Sequence, residues 1–567
     1  MSTLKYRSIN MLLRLMLLAG LISATAFQTV GQQLEGIAGQ KPFTLHGNFG
    51  VNLLGYSVQG IDDRMPPWNL LLSAQATASV YGVAIPFSFR YSGKKIEYGQ
   101  PFNQFGLSPQ YKWLTLHGGY RTLRFSDFTL AGHSFLGGGV EMNPGKFRFG
   151  FVYGRFMDQV QEISPALDTL NRFSRKGLAM KIGAGNANRF IDFLVLRIQD
   201  DTTSFPDSLV NPGITPAQNV VLGINTRLPL GKKLMFETEV AGSVYASNMK
   251  AHGFEAVEEL PSWIGNNSIL KINVSSEFAT AIRSSLLFKE KNFSSKLEYR
   301  RIDPDYKSMG AYYFTTDVEQ ATIAPSVTLF KRKLLVRGSV GVQRDNLRNT
   351  KKATTVRAIS SASVSFNPVP AFGLDVNYSN YSNNQRPGTL PLIDSLKQYH
   401  TTANFSVTPR VLLVRPEKQH LLFLVVSRME LNDKNAWTAL YTENRALILN
   451  LNYNLNLVKR NLTILGGLIH NRLENSTINL QTTGLTAGIS KSLLEARLQA
   501  GWNNSLVFNH SGQEGFIYTT NMQATYQINK HHNLRIGLYL TSAKYKDETQ
   551  NPSFHETKGD FGYVYTF

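Results

Sequence analysis

Residues 449–457 read LNLNYNLNL, and the reading of these nine residues decides the fold. Leu449, Leu451, Tyr453, Leu455 and Leu457 fall at every second position, with Asn450, Asn452, Asn454 and Asn456 between them. A period of two puts the apolar set on one face of a strand and the four amides on the other. A soluble core has no use for a row of asparagines, since every buried amide needs hydrogen-bond partners of its own. A strand with lipid on one side and water on the other uses both faces as they stand.

The same alternation recurs along the chain. KFRFGFVYGRF (146–156) sets Phe147, Phe149, Phe151 and Tyr153 against Lys146, Arg148, Gly150 and Gly154. FGLDVNYSN (372–380) sets Phe372, Leu374, Val376 and Tyr378 against Asp375, Asn377 and Ser379, and NLRIGLYL (533–540) sets Leu534, Ile536, Leu538 and Leu540 against Arg535, Gly537 and Tyr539. The chain closes on FGYVYTF, with Phe561, Tyr563, Tyr565 and Phe567 on one face. Composition agrees: 17% of residues are charged, 11% are aromatic, and mean hydropathy is −0.18. Such a chain is too wet for a helical membrane protein and poor in charge for a soluble one. With no cysteine among 567 residues, disulfides, thiolate metal sites and cysteine nucleophiles are excluded.

The N-terminal sequence MSTLKYRSINMLLRLMLLAGLISATAF carries Lys5 and Arg7, an apolar run from Met11 to Ile22, and the small-residue pattern Ala24-Thr25-Ala26. It reads as a secretory signal peptide over residues 1–26, cleaved after Ala26, with the Gly31-Gln32 region as the second candidate. Arg14 interrupts a stretch already too short to cross ~30 Å of hydrocarbon as a helix. The mature chain, 27–567, reads as one all-β domain.

Connections alternate in length. Short ones occur at NPGK (143–146), PLGKK (229–233), FKEKN (288–292), FKRK (330–333), NPVP (367–370), LVKRN (457–461) and INKHHN (528–533). Longer polar segments lie between them, among them 157–175, 250–266 and 430–443. GISKS (488–492) also reads as a turn. The expectation is a single-chain antiparallel transmembrane β-barrel of about 22 to 26 strands, even in number. Residues 44–121 are ambiguous between wall strands and luminal filling, because Pro66, Pro67, Pro86, Pro101 and Pro109 interrupt the pattern. A barrel this wide cannot be filled by wall side chains. Inward-folded loops, or part of 44–121, should therefore obstruct the lumen.

A terminal strand with alternating aromatics that ends in Phe567 resembles the C-terminal signature of Gram-negative outer-membrane β-barrel proteins. The stretch from Gln100 to Gly150, QPFNQFGLSPQYKWLTLHGGYRTLRFSDFTLAGHSFLGGGVEMNPGKFRFG, is similar to those of large porin-like barrels. The resemblance implies residence in the cell outer membrane, contact with outer-membrane lipid and lipopolysaccharide, and a terminal strand read by the outer-membrane assembly machinery through Phe561, Tyr563, Tyr565 and Phe567. The resemblance supplies no activity; the barrel itself favours passive or ligand-facilitated transport through a channel, and the alternative is a non-conducting structural or secretion-accessory barrel that docks partner proteins. Energy-coupled uptake with a globular plug is disfavoured, since 27–43 is too short to form one.

Residues for chemistry are sparse. The eleven histidines show no ligand spacing, and His531-His532 are neighbours in a turn. His470, Asn471 and Ser476 are better explained by loop polarity than by a nucleophile and base. LGGGVEMNPG (136–145) lacks the Lys-Ser/Thr of a phosphate loop. No enzyme, cofactor or metal is therefore expected. The connection RIDPDYKSMGAYYF (301–314) stands out: Asp303, Asp305, Tyr306 and Lys307 around Pro304 suit a loop folded into the pore as a constriction. Net charge is +20, or +17 without Lys5, Arg7 and Arg14. A secreted barrel leaves no role for nucleic acid. Two destinations remain for the excess, rim contacts with lipid phosphates and a lumen favouring small anionic solutes. Arg148, Lys296, Arg300, Arg337 and Arg535 face inward by parity and carry the second reading; Glu237, Glu239, Glu298 and Asp375 share the same face and oppose it.

Overall fold

Each period-two segment hydrogen-bonds to its neighbour in sequence, because a chain of short turns brings successive strands together first. The computed structural model describes residues 42–93, 104–159, 172–204, 214–253, 272–311, 315–387, 397–477, 479–511, 514–549 and 551–567. The expected leader, residues 1–26, lies outside the described residues. Twenty-seven strands form one antiparallel sheet. The first, Phe43–Gln59, pairs with the last, Phe554–Thr566, from Asn48↔Thr566 to Gln59↔His555, and so closes the barrel. The terminal Phe567 exchanges both backbone hydrogen bonds with Gly47, each 3.0 Å.

Two of the strands are halves of one stave. Gln104–Leu107 and Gln110–Tyr111 both lie between Val83–Ser92 and Leu114–Arg124. Pro109, which has no N–H to donate, sits at the break. Ser108 N donates to Pro86 O at 3.0 Å and Leu116 N to Pro109 O at 2.9 Å, so the stave stays stitched across it. The barrel thus has twenty-six staves, the even number that antiparallel closure requires. Residues 43–92 and 104–124 are wall: strands Phe43–Gln59, Trp68–Val80, Val83–Ser92 and Leu114–Arg124 flank the broken stave. The luminal filling comes from elsewhere.

Outward positions are apolar and exposed, as at Phe278, Leu297, Val340, Leu485, Ile536 and Phe561. A closed sheet with such an outer face satisfies its backbone internally and offers its side chains to hydrocarbon, which is the architecture of a membrane-spanning barrel. Inward positions carry the polar partners of each alternation. Among the described residues no helix is long and apolar enough to cross a membrane. GISKS is not a turn: strand Asn479–Leu493 runs through it, with Gly488 opposite Leu465 and Ser490 opposite Thr463. Alternation from Thr486 to Ser492 is unbroken, so one inward glycine does not stop the strand. The chain reverses at 494–497 instead, with Leu494, Glu495 and Ala496 at φ of 52°, 55° and 71°.

Candidate functional site

Two connections fold into the lumen from the long-connection end and make a plug. The first, FSDFTL (125–130), joins Leu114–Arg124 to Ala131–Met142. It closes on itself: Phe125 N donates to Leu130 O at 2.9 Å, and the Ser126 and Thr129 hydroxyls share a hydrogen bond of 2.6 Å. The second, 303–311, leaves strand Phe293–Ile302. Tyr306 OH donates to Phe128 O at 2.9 Å, Ser308 Oγ to Thr129 O at 2.7 Å, and Ala131 N to Gly310 O at 3.0 Å. A Cβ on Gly310 would meet Thr129 O at 2.8 Å and Leu196 Cδ1 at 3.0 Å, so only glycine lets the two loops approach this closely.

The wall holds the plug with buried polar groups. Asn219, 0% exposed, accepts from Met309 N at 3.0 Å and donates to Lys307 O at 3.3 Å and to Ser243 Oγ at 2.8 Å. Glu239 accepts from Phe128 N at 2.7 Å. Between them lies an apolar core of Phe125, Phe128, Leu130, Tyr306 and Met309 against inward side chains that include Phe156, Leu196 and Val221. Gly150 is the inward position that makes room for the Phe125 ring, since a Cβ there would lie 2.9 Å from it. This core abuts strands from Ala131–Met142 to Val318–Leu329. Across the lumen, the inward asparagines 450, 452, 454 and 456 are only partly buried. The plug therefore leans on one arc and leaves an amide and hydroxyl wall facing it.

Toward the short-turn end, a cavity of about 380 Å³ beneath Phe125 is lined by paired charges. Arg148 makes a two-pronged pair with Asp192 at 2.7 and 2.8 Å and stacks on Phe190. Arg227 pairs with Glu237 at 2.7 Å, and Lys181 with Glu141 at 3.5 Å. Arg283 bridges Glu239 at 3.2 Å and Asp127, and Arg124 takes the same Asp127. Arg300 stands directly opposite Arg283 in the sheet. Among the described residues it has no carboxylate within 4 Å. Arg124, Arg283 and Arg300 line a second cavity of about 580 Å³ at the plug's edge.

The other residues picked out by parity are placed as follows. Lys296 is neutralised by Glu298 on its own strand at 2.5 Å, Arg535 by Asp560 at 3.2 Å, and Asp375 by Arg410 at 2.6 Å. Arg337 lines a cavity of about 480 Å³ with Ser361, Ser363, Asn377, Ser379 and Asn404, on an arc away from the plug. Parity therefore found the inward bases and four of the inward acids, but not the pairing across strands: Asp192 is 44 residues from Arg148.

Within the second loop, Tyr306 is 1% exposed and central to the plug, and Lys307 lies over the Tyr245 ring at 4.3 Å. Asp305 is exposed, at φ 61°, and 3.9 Å from Arg348. Asp303 is an anchor: its Oδ2 accepts from Thr280 N at 3.0 Å and Thr280 Oγ1 at 2.6 Å. Residues 312–314 of this connection lie outside the described residues. Among the described residues no group of three His, Asp or Glu could hold a metal. His470 and Asn471 are consecutive in strand Leu462–Asn475, so their side chains leave opposite faces of the sheet.

Burial by itself would raise the Asp303 pKa, but the Thr280 hydroxyl and amide and the Arg301 guanidinium outweigh it and hold the carboxyl below the ordinary carboxylate value. A depressed pKa stabilises the docked loop above the unfolded value of about 3.9, and that contribution is lost as pH falls through the lower folded value. Protease nicking within 303–311 is thus expected to appear only below about pH 4. Asp303→Asn should nick at neutral pH; equal protection of both proteins at every pH would refute the anchor.

No family model and no curated protein matches this chain. Solved structures share the barrel class. OccAB2 from Acinetobacter baumannii is 9% identical over 62% of this chain and 92% of its own, with a TM-score of 0.31. The FrpB iron transporter from Neisseria meningitidis, F3-3 variant, is 10% identical over 95% of this chain and 83% of its own, at 0.37. OpdK from Pseudomonas aeruginosa, solved with vanillate, is 11% identical over 66% of this chain and 97% of its own, at 0.30. These are likenesses of fold class alone, and any function must come from this chain's own lumen.

Proposed function

We propose that the protein is an outer-membrane channel that passes small polar solutes between the plug and the opposite amide and hydroxyl wall, with a weak preference for anions. The observation that carries this reading is the Arg124, Arg283 and Arg300 cluster at the plug's edge, where two carboxylates, Asp127 and Glu239, face three guanidinium groups. Elsewhere inward bases are mostly cancelled by partners, which keeps the preference weak. In this reading the short turns face the periplasm and the long connections the outside. The terminal strand through Phe561, Tyr563, Tyr565 and Phe567 serves the assembly machinery, with lipopolysaccharide around the long-connection end. Purified protein in planar bilayers should give discrete conductance steps and an anion-signed reversal potential under a salt gradient.

A second reading has its own observation: the plug is a cored, hydrogen-bonded body rather than a loose loop, as suits a non-conducting barrel that docks partner proteins. Silent bilayers, together with stoichiometric partners on purification, would favour it over the channel.

A further inference from the structure

The positive charge that the lumen does not hold has a definite location. In the twelve short turns from Tyr81-Gly82 to 528–531, thirteen lysines and arginines face three acids, Glu290, Glu417 and Glu495. Two of those acids are already paired, Glu290 with Lys233 and Glu417 with Lys459. At the opposite end, the described residues of the long connections carry ten bases against thirteen acids. One rim of the barrel is therefore strongly basic and the other slightly acidic.

The basic turns are also apolar. Phe330, 68% exposed, precedes Lys331, Arg332 and Lys333; Trp113 follows Lys112; Val458 precedes Lys459 and Arg460; Ile528 lies two residues before Lys530. These apolar side chains continue the lipid-facing band of the strands to its edge. A rim lysine beside them can lay its methylene stem on the apolar surface and put its ammonium at headgroup level. A soluble acidic partner would give no reason for exposed Phe330 and Trp113 in the same turns. A bilayer whose headgroups are anionic satisfies both, since charge attraction and apolar insertion act at one depth.

We propose that the short-turn rim is a docking surface for anionic phospholipid headgroups, which gather around this end of the barrel and hold it at a fixed depth. The inference needs only that the chain spans a membrane as a barrel, and it stands or falls independently of conduction. The contacts form from many turns at once, so the effect is collective rather than that of one residue. Salt should weaken it, because the rim lies in water-accessible headgroups where the Debye length falls from about 30 Å at 0.01 M to about 3 Å at 1 M.

The test is the relative association of spin-labelled phosphatidylglycerol and phosphatidylcholine with the full mature chain in bilayers. At about 0.01 M salt, phosphatidylglycerol should be favoured at least about threefold, with the ratio approaching one at about 1 M. A variant combining Lys331→Gln, Arg332→Gln, Lys333→Gln, Lys459→Gln and Arg460→Gln should lose at least half of the excess. A matched variant at the other end, Lys250→Gln, Arg348→Gln, Lys352→Gln, Lys397→Gln and Lys434→Gln, should keep it. Heat-modifiable migration reports whether each barrel is folded; if the five-substitution turn variant is not, the Lys331→Gln/Lys333→Gln pair and the salt series decide. A ratio of one in the unmodified protein, an unchanged ratio in the turn variant, or equal loss in both variants would overturn the proposal. So would a lipid ratio of one combined with salt-sensitive binding of polyglutamate, which would assign the rim to an acidic polypeptide.

Discussion

In planar bilayers, the Tyr306→Ala/Asn219→Ala protein is expected to show single-channel steps several-fold larger than the unmodified chain. The two side chains hold the same plug from opposite sides. Tyr306 fills its centre, with its ring edge-on to Phe128 at 6.1 Å and its hydroxyl on Phe128 O. Truncating a buried aromatic of this size costs roughly 3–5 kcal/mol. Asn219 accepts from Met309 N, and its loss leaves that buried donor unpaired at about 1–3 kcal/mol, while Lys307 O keeps its hydrogen bond from the Ser243 hydroxyl. The losses are not independent, since both act on residues 306–309. Their sum, roughly 4–8 kcal/mol before coupling, spans the ~5.5 kcal/mol that turns a loop docked 99 times in 100 into one undocked as often. Neither side chain belongs to the sheet's backbone ladder, so closure between Phe43–Gln59 and Phe554–Thr566 should survive, as heat-modifiable migration would report. Unchanged step size in a folded double variant would mean that the plug does not set the passage.

What the sequence disclosed depended on the range of the interactions. LNLNYNLNL announced a two-faced strand because its period is local, and register then followed, Asn450 opposite Ile469 and Asn452 opposite Gly467. A one-residue slip would have put four amides into lipid. The break at Pro109 was visible as an interruption, but not that a second fragment would complete the stave. Of the two plug loops, 303–311 was marked by its aromatics and charges. FSDFTL was not singled out, although Phe125, Phe128 and Leu130 in a connection between strands were the available signal: an apolar connection cannot rest in water. Least legible were the ion pairs. Glu239 and Arg283 stand 44 residues apart, and only the sheet register brings Glu239 opposite Arg283 and Arg283 opposite Arg300. Parity over the quoted strands leaves out Asp192 and Asp560, the partners of Arg148 and Arg535, and so overstates the charge available to a solute.

That register makes the charge-inversion experiment selective among arginines. Arg300→Glu is expected to reverse the sign of the ion preference, because it converts three bases facing two acids at the plug's edge into two bases facing three. Arg300→Gln, which removes one unit rather than two, should give about half the shift in reversal potential. Arg337→Glu should act in the same direction but less, since its cavity lies among serines and asparagines on an arc the plug does not reach. At 0.15 M salt a wall charge is screened over ~8 Å, so position relative to the narrowing matters more than the bare count of charges. Arg148 is a poor choice for the same experiment: its guanidinium is committed to the buried Asp192, and removing one partner of a buried pair costs about 3–5 kcal/mol of stability. Reversal potentials measured for Arg300→Gln, Arg300→Glu, Arg337→Glu and the Arg300→Glu/Arg337→Glu double variant should therefore form a graded series, steepest at residue 300. A cation-selective unmodified protein, or a double variant with an unmoved reversal potential, would show that no luminal arginine selects ions and that the excess positive charge acts only at the basic rim.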